Sequence, residues 1–245
     1  MPMRLLRSIA LAACLLASGA AAETLALPDR LIGLASPQGE ALLKETPALD
    51  AYGPISINFV TQKTQAYCGV ASMVIALNAL NVPAPTSPEY KPYATFTQDN
   101  VLDERTNAVL PRDVLDHHGM TLDQLGGLLG IHGVKVEIHH AAPGGLDAFR
   151  KTAAEDLATA DHVVIVNYLR KALGQQLGGH ISPLAAYDAR ADRFLILDVA
   201  RYKYPPVWVT ASDLFDAMNT TDADNDNKTR GYVRVSVAPP KAPSP

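Results

Sequence analysis

One segment constrains this chain more than any other. From Gly69 to Asn81 it reads Gly-Val-Ala-Ser-Met-Val-Ile-Ala-Leu-Asn-Ala-Leu-Asn, apolar nearly all the way round, and Val82-Pro83 follows. A helix without a polar face is stable only inside a core, and the proline stops it. The segment therefore predicts a buried helix of about three turns that the rest of the chain must wrap. With 245 residues, 48% hydrophobic and 19% charged, the chain can supply that wrapping within one main domain. Cys68 stands at the N-terminal end of this helix.

That position gives the thiol a reason to ionise. A helix start presents unpaired backbone N–H groups and the positive end of the helix dipole, and both favour a thiolate. Acyl transfer also needs oxyanion donors, which the Cys68 backbone N–H and the Gln62 side-chain amide could supply. The same residues also fit a packed core thiol beside a surface glutamine. Of the seven histidines, His180 has the most suggestive setting as a base, in Gly178-Gly179-His180-Ile181-Ser182-Pro183, where glycines let another chain or a substrate approach the backbone. The pairs His117-His118 and His139-His140 are no preformed chelates, because adjacent side chains diverge on a helix or a strand. His132 and His162 read as structural. Asp198 is an acid within the apolar run Arg193 to Ala200, and a carboxylate buried there needs a partner.

The turn from Asp188 to Asp192 makes the pairing of His180 and Asp198 a question of register. A two- or four-residue loop with no bulge turns Asp198 to the opposite face from His180. An odd loop, or a bulge of equivalent effect, sets the two diagonally on one face, about 7–8 Å apart between backbones. The expectation is the odd loop or the bulge.

The chain has two cysteines, Cys14 and Cys68. Arg4 and Arg7, the apolar run Ile9 to Ala17, and Ala20-Ala21-Ala22 before Glu23 have the layout of a cleavable export signal at residues 1–22, too short for a lasting membrane span. Cleavage would remove Cys14 and leave Cys68 with no disulfide partner. A competing expectation is lipoprotein processing at Leu11-Ala12-Ala13-Cys14. Export to the periplasm is the favoured one. The formal net charge of −4 argues against nucleic acid, which needs a basic face.

Prolines 28, 37, 47 and 54 predict short elements and loops from Glu23 to Thr61. Leu110 to Leu129 predicts one helix, weakened by Gly126-Gly127, and Gly133 to His139 a half-buried strand. Leu146 to Ala160 predicts an amphipathic helix. His162 to Leu169, His180 to Tyr187 and Arg193 to Ala200 predict neighbouring antiparallel strands. Thr210 to Met218 predicts a helix capped by Thr210 or Ser212, and Gly231 to Val237 a last strand, with a disordered tail at 239–245. Neither an internal repeat nor a second domain is evident.

The order Cys, His, Asp, with a glutamine ahead of a helix-borne cysteine, is the papain-like order. The stretches Gln62 to Ser72, Asn167 to Lys171, Gly178 to Pro183 and Asp192 to Trp208 closely resemble phytochelatin synthases, over most of residues 23–238. The resemblance implies an α+β, papain-like catalytic domain, its nucleophile-bearing helical part packed on an antiparallel sheet. It implies Cys68 as nucleophile, His180 as base and then acid, Asp198 as its orienter and Gln62 as oxyanion donor. The substrate would be glutathione or its conjugates, cut at the Cys-Gly bond through a γ-glutamylcysteinyl thioester that passes to water or to a second glutathione. No cofactor is expected. Heavy-metal ions such as cadmium would arrive as glutathione thiolate complexes, and a homodimer is an assembly to test. Asp222 and Arg230 match positions at the pocket for the donor's amino and carboxylate groups, with Arg170 and Arg201 as further substrate contacts.

Asp222-Ala223-Asp224-Asn225-Asp226-Asn227 is spaced like a calcium loop, but Asn227 and Val233 stand where the glycine and the glutamate belong, so an EF-hand is rejected. Unlike the plant members, the chain shows no cysteine-rich stretch after the catalytic region, and cleavage of glutathione is expected to outweigh polymer synthesis. The competing functions are a bacteriocin-processing type of papain-like peptidase and a silent thiol- or metal-binding module. The module would want more soft ligands than one thiol.

Overall fold

The computed structural model describes residues 24–237, so the expected export signal and the expected tail lie outside it. Seven strands form one antiparallel sheet: β1 (Ile32–Gly33), β2 (Lys135–His140), β3 (His162–Leu169), β4 (Gly179–Asp188), β5 (Arg193–Ile196), β6 (Val207–Thr210) and β7 (Gly231–Ser236). Their spatial order is β1-β6-β5-β4-β3-β7-β2. The helices are α1 (Pro37–Glu45), α2 (Tyr52–Ile57), α3 (Cys68–Ala79), α4 (Glu104–Val109), α5 (Arg112–His118), α6 (Leu122–Ile131), α7 (Ala141–Gly144), α8 (Leu146–Leu157) and α9 (Ala211–Met218). The fold is α+β. Among the described residues no helix is long and apolar enough to cross a membrane.

The all-apolar helix is α3, and it is buried as its composition demands. Its one residue short of full burial, Asn78, is polar and is used as such: its side chain donates to the Phe96 carbonyl at 2.9 Å and accepts from the Phe96 N–H at 3.0 Å. Each fully buried aliphatic side chain on such a helix contributes about 1.5–3 kcal/mol. The helix packs on β4. Ser72 fastens that contact, its hydroxyl lying 2.8 Å from the Cys68 carbonyl and 3.3 Å from that of Ile181.

Strand β3 has the expected bounds, β4 pairs with it, and β5 pairs with the other edge of β4. Asp188 pairs with Arg193, which leaves an even loop, and the register then shifts between Leu184 and Ala186. This is the bulge that the His180–Asp198 pairing required. An extra residue in one strand turns the following side chains to the other face, and Asp198 comes round to meet His180. The fifth strand ends at Ile196, short of the expected Ala200. Beyond it Leu197 N–H still bonds the Pro183 carbonyl at 3.1 Å, while Val199 N–H bonds the Ser182 hydroxyl at 3.3 Å.

The single helix expected over 110–129 is instead broken. Proline 111 starts α5, Gly119 ends it at φ 74°, and Thr121 begins α6 with a capping box whose other member is Gln124. A positive φ and a fresh N-cap outweigh a hydrophobic period that runs across the break. Gly126 has a packing reason: a Cβ on it would collide with Ile138. Strand β6 was not anticipated, being a short run hidden behind Pro205-Pro206. The cap of α9 is Thr210, which accepts from Asp213 N–H at 3.1 Å.

Candidate active site

Cys68 is the first residue of α3, 8% exposed, with its helix start aimed at the beginning of β4. There His180 stands beside the thiol and lines the same cavity. The His180 Nε2 is occupied by Asp198, at 2.8 Å from Oδ1, so Nδ1 is the ring nitrogen left for sulfur. Burial works against ionising Cys68, but the hydrogen bond and charge of His180, with backbone hydrogen bonds at Ile181 and Gly69, outweigh it and bring the thiol below its ordinary pKa. For His180 burial and, less strongly, the charge of Arg170 pull downward, while the charge and hydrogen bond of Asp198 and the interaction with Cys68 together outweigh them, so the imidazole stands above its ordinary value. The two directions together favour a thiolate–imidazolium pair.

Asp198 is fully buried, a placement that would raise its pKa, yet it is held far below the carboxylate range by His180 and by Arg170. Its Oδ1 accepts from His180 Nε2, from Arg170 Nη2 at 2.9 Å and from the Ala200 N–H at 2.9 Å. Arg170 Nη1 lies 2.8 Å from Oδ2 and donates to Gln175 Oε1, also at 2.8 Å. Arg170 is 3% exposed, and its guanidinium lies 5.2 Å over the Tyr204 ring. It is therefore not placed as a substrate contact: every face of its guanidinium is taken by Asp198, Gln175 and Tyr204. Tyr168, opposite His180 across the ladder, sets its ring edge-on to the imidazole at 5.7 Å and limits its rotation.

Beside Cys68 and His180 opens a cavity of ≈ 310 Å³. Asp222 and Arg230 line it together, with Arg230 Nη2 3.2 Å from Asp222 Oδ1. Arg230 also donates to the Thr221 carbonyl at 2.6 Å, and its Nε is buried without a partner. Gly179 lies against this guanidinium and leaves room for it. The opposite wall is the turn between α5 and α6. Met120 packs on Gly69 so closely that a Cβ there would collide with its sulfur. Tyr67 immediately precedes Cys68, donates to Asp116 at 2.7 Å and so ties this wall to the thiol.

Gln62 is buried, six residues before Cys68. Its Nε2 donates to the Thr64 carbonyl at 2.7 Å and to the Tyr202 hydroxyl at 3.1 Å, while its Oε1 has no partner. Arg201 is exposed with its guanidinium 5.6 Å over the Phe59 ring, and it does not line the cavity. Cavity residues not expected at the site are Asn167 and Gln124, together with His118 and Asp224, which the rejected chelate pair and the rejected calcium loop had set aside. Asn167 carried a signal, as the polar residue inside an otherwise apolar strand, whereas the other three come together only when the chain folds. Among the described residues no group of three or more His, Cys, Asp or Glu side chains is placed to hold a metal ion.

A thiol at a helix start, a histidine beside it and a buried carboxylate behind that histidine have the arrangement of a Cys–His–Asp centre on an α+β fold. The family model for phytochelatin synthase matches residues 22–232, and this chain belongs to that family. It is 36% identical over 208 residues to glutathione gamma-glutamylcysteinyltransferase 1 of Lotus japonicus, covering 84% of this chain and 40% of that one. The Arabidopsis thaliana glutathione gamma-glutamylcysteinyltransferase 1 is 34% identical over 197 residues, 80% of this chain and 39% of the relative. For the Schizosaccharomyces pombe glutathione gamma-glutamylcysteinyltransferase the identity is 27% over 187 residues, with 76% and 43% covered. The chain thus matches about two fifths of the length of these relatives.

Proposed function

We propose that this chain is a glutathione γ-glutamylcysteinyltransferase-like enzyme of papain-like architecture. The observation that carries the reading is the Cys68–His180–Asp198 chain, with its 2.8 Å Nε2 to Oδ1 bond, opening onto a cavity that holds the Asp222–Arg230 pair. The Cys68 thiolate attacks the carbonyl of the Cys-Gly bond of glutathione. The tetrahedral oxyanion collapses as the C–N bond breaks, and the His180 imidazolium gives its proton to the departing glycine amine. The γ-glutamylcysteinyl group is then a thioester on Cys68. His180, now neutral, takes a proton from water or from the amino group of a second glutathione, whose oxygen or nitrogen bonds to the thioester carbonyl carbon; the C–S bond then breaks, Cys68 leaves as the thiolate beside the His180 imidazolium, and the product is γ-glutamylcysteine or a lengthened peptide.

Asp222 and Arg230 suit the zwitterionic end of the donor, an acid for its amino group and a guanidinium for its carboxylate. Gln62 suits the oxyanion once the reacting oxygen takes the place of the Tyr202 hydroxyl on Nε2. Heavy-metal ions enter this scheme as thiolate complexes of the substrate, and export to the periplasm is part of the same proposal. The test is incubation of residues 23–245 with glutathione, with and without cadmium, following glycine, γ-glutamylcysteine and longer peptides by mass spectrometry. Release of glycine matched by γ-glutamylcysteine supports the reading, and the absence of any product in every condition refutes it.

A further inference from the structure

Outside the triad, one imidazole joins the two walls of the cavity. His140, the last residue of β2, lies between two oxygens: Nδ1 is 2.5 Å from the Thr229 carbonyl and Nε2 is 2.8 Å from Asp123 Oδ1. Asp123 stands in the first turn of α6, between Thr121 and Gln124, and both of those line the cavity. Thr229 immediately precedes Arg230, on the opposite wall. Lys228 closes the cluster by donating to Asp123 Oδ2 at 2.6 Å. The backbone beside it is stitched the same way, Ala141 N–H to the Arg230 carbonyl at 2.9 Å and Ala142 N–H to the Thr229 hydroxyl at 3.1 Å.

A carbonyl and a carboxylate only accept hydrogen bonds. The ring satisfies both only when each nitrogen carries a hydrogen, that is, as the imidazolium. A neutral His140 must turn a lone pair on one of the two oxygens. If it keeps its bond to Asp123, the repulsion falls on the Thr229 carbonyl and so on the chain leading into Arg230. The charged groups around the ring are Asp123 from α6 and Lys228 from the loop, with Asp226 acting on Lys228 from within that loop. His139 stacks on Tyr232 with ring centroids 4.8 Å apart and approaches Glu137.

We propose that His140 is a positioning residue: bridging the Thr229 carbonyl and Asp123, its ring pins residues 228–230 to the start of α6 and holds Asp222 and Arg230 at the spacing that grips the donor. The inference rests on the reading above that the donor's zwitterionic end sits on that pair.

The test measures glutathione binding by calorimetry in the Cys68→Ala protein and compares that parent with His140→Gln and His140→Arg made in it. His140→Gln, which can serve only one of the two oxygens, binds about five- to tenfold more weakly, the size of one hydrogen bond lost. His140→Arg, whose guanidinium can donate to both oxygens, binds within about twofold of the parent. In the Cys68-containing protein His140→Gln raises KM and leaves kcat within about twofold, a split that a general loss of fold would not produce. A His140→Gln protein as tight as the parent, or a His140→Arg protein as weak as His140→Gln, overturns the inference alone. No glutathione binding by the parent overturns the donor reading and this inference with it.

Discussion

Replacing Arg170 with methionine separates its structural role from the substrate contact that its position in the sequence suggested. Methionine fills much of the same volume and removes the charge that faces Asp198. The carboxylate is fully buried, and it keeps only His180 and the Ala200 N–H. Removing one partner of such a pair costs about 3–5 kcal/mol, because the remaining charge stays buried with less compensation. For a domain of this size that loss lowers Tm by about 6–20 °C. The pH dependence has a definite sign. The folded-state pKa of Asp198 is depressed below its unfolded value, so the stability it contributes is present above about pH 4 and is lost as pH falls toward the folded value. Arg170 supplies part of that depression, so the gap between parent and variant is full at pH 7 and narrows only as pH falls through the folded-state pKa of the variant, whose less depressed Asp198 takes up its proton before the parent's does. Urea unfolding of both proteins in a Cys68→Ala background, from about pH 7 to about pH 3, measures it. A variant within about 1 kcal/mol of the parent at pH 7, with only KM for glutathione raised, would refute the reasoning and restore the substrate contact.

Alkylation of Cys68 by iodoacetamide is expected to persist to lower pH than for an ordinary thiol, and His180→Ala should return the profile to the usual thiol range, because the hydrogen bond and charge of His180 drive the lowering. Asp222→Asn should raise KM for glutathione about tenfold with a smaller effect on kcat, since a charged contact to the donor's amino group is lost while Cys68 and His180 are untouched. Equal loss of kcat and kcat/KM would count against that role. Gly231→Ala should fail to fold or lose several kcal/mol in urea unfolding, because the new Cβ would run into the His139 backbone carbonyl on the paired strand.

What the sequence carries about this fold depends on how local each cause is. Helix α3 announces itself because thirteen neighbouring residues can be satisfied only by a core, and β3 because its apolar run is bounded by turns. The His180–Asp198 meeting was legible as a condition on register, and the bulge near Ala185 meets it, but which residue bulges is decided by packing across the sheet. The breaks at Pro111 and Gly119 were visible as residues and outvoted by an apolar period that the three-dimensional path does not follow. Arg170 was misassigned for a related reason. A lone arginine after a strand looks like a surface cation, and only the fold shows that Asp198, twenty-eight positions on, closes over it. Likewise His140 was dismissed because neighbouring histidines cannot chelate, which left open that one of them meets oxygens from two distant segments.

The central claim is a thioester on Cys68. Acid-quenching the protein seconds after mixing with glutathione, then measuring intact mass and mapping the peptide that carries Cys68, tests it most directly. The account predicts an adduct of glutathione less glycine on Cys68, removed by hydroxylamine and missing from Cys68→Ser, which also releases no glycine. Glycine release that continues in Cys68→Ser, or an adduct mapped to any other residue, would contradict it.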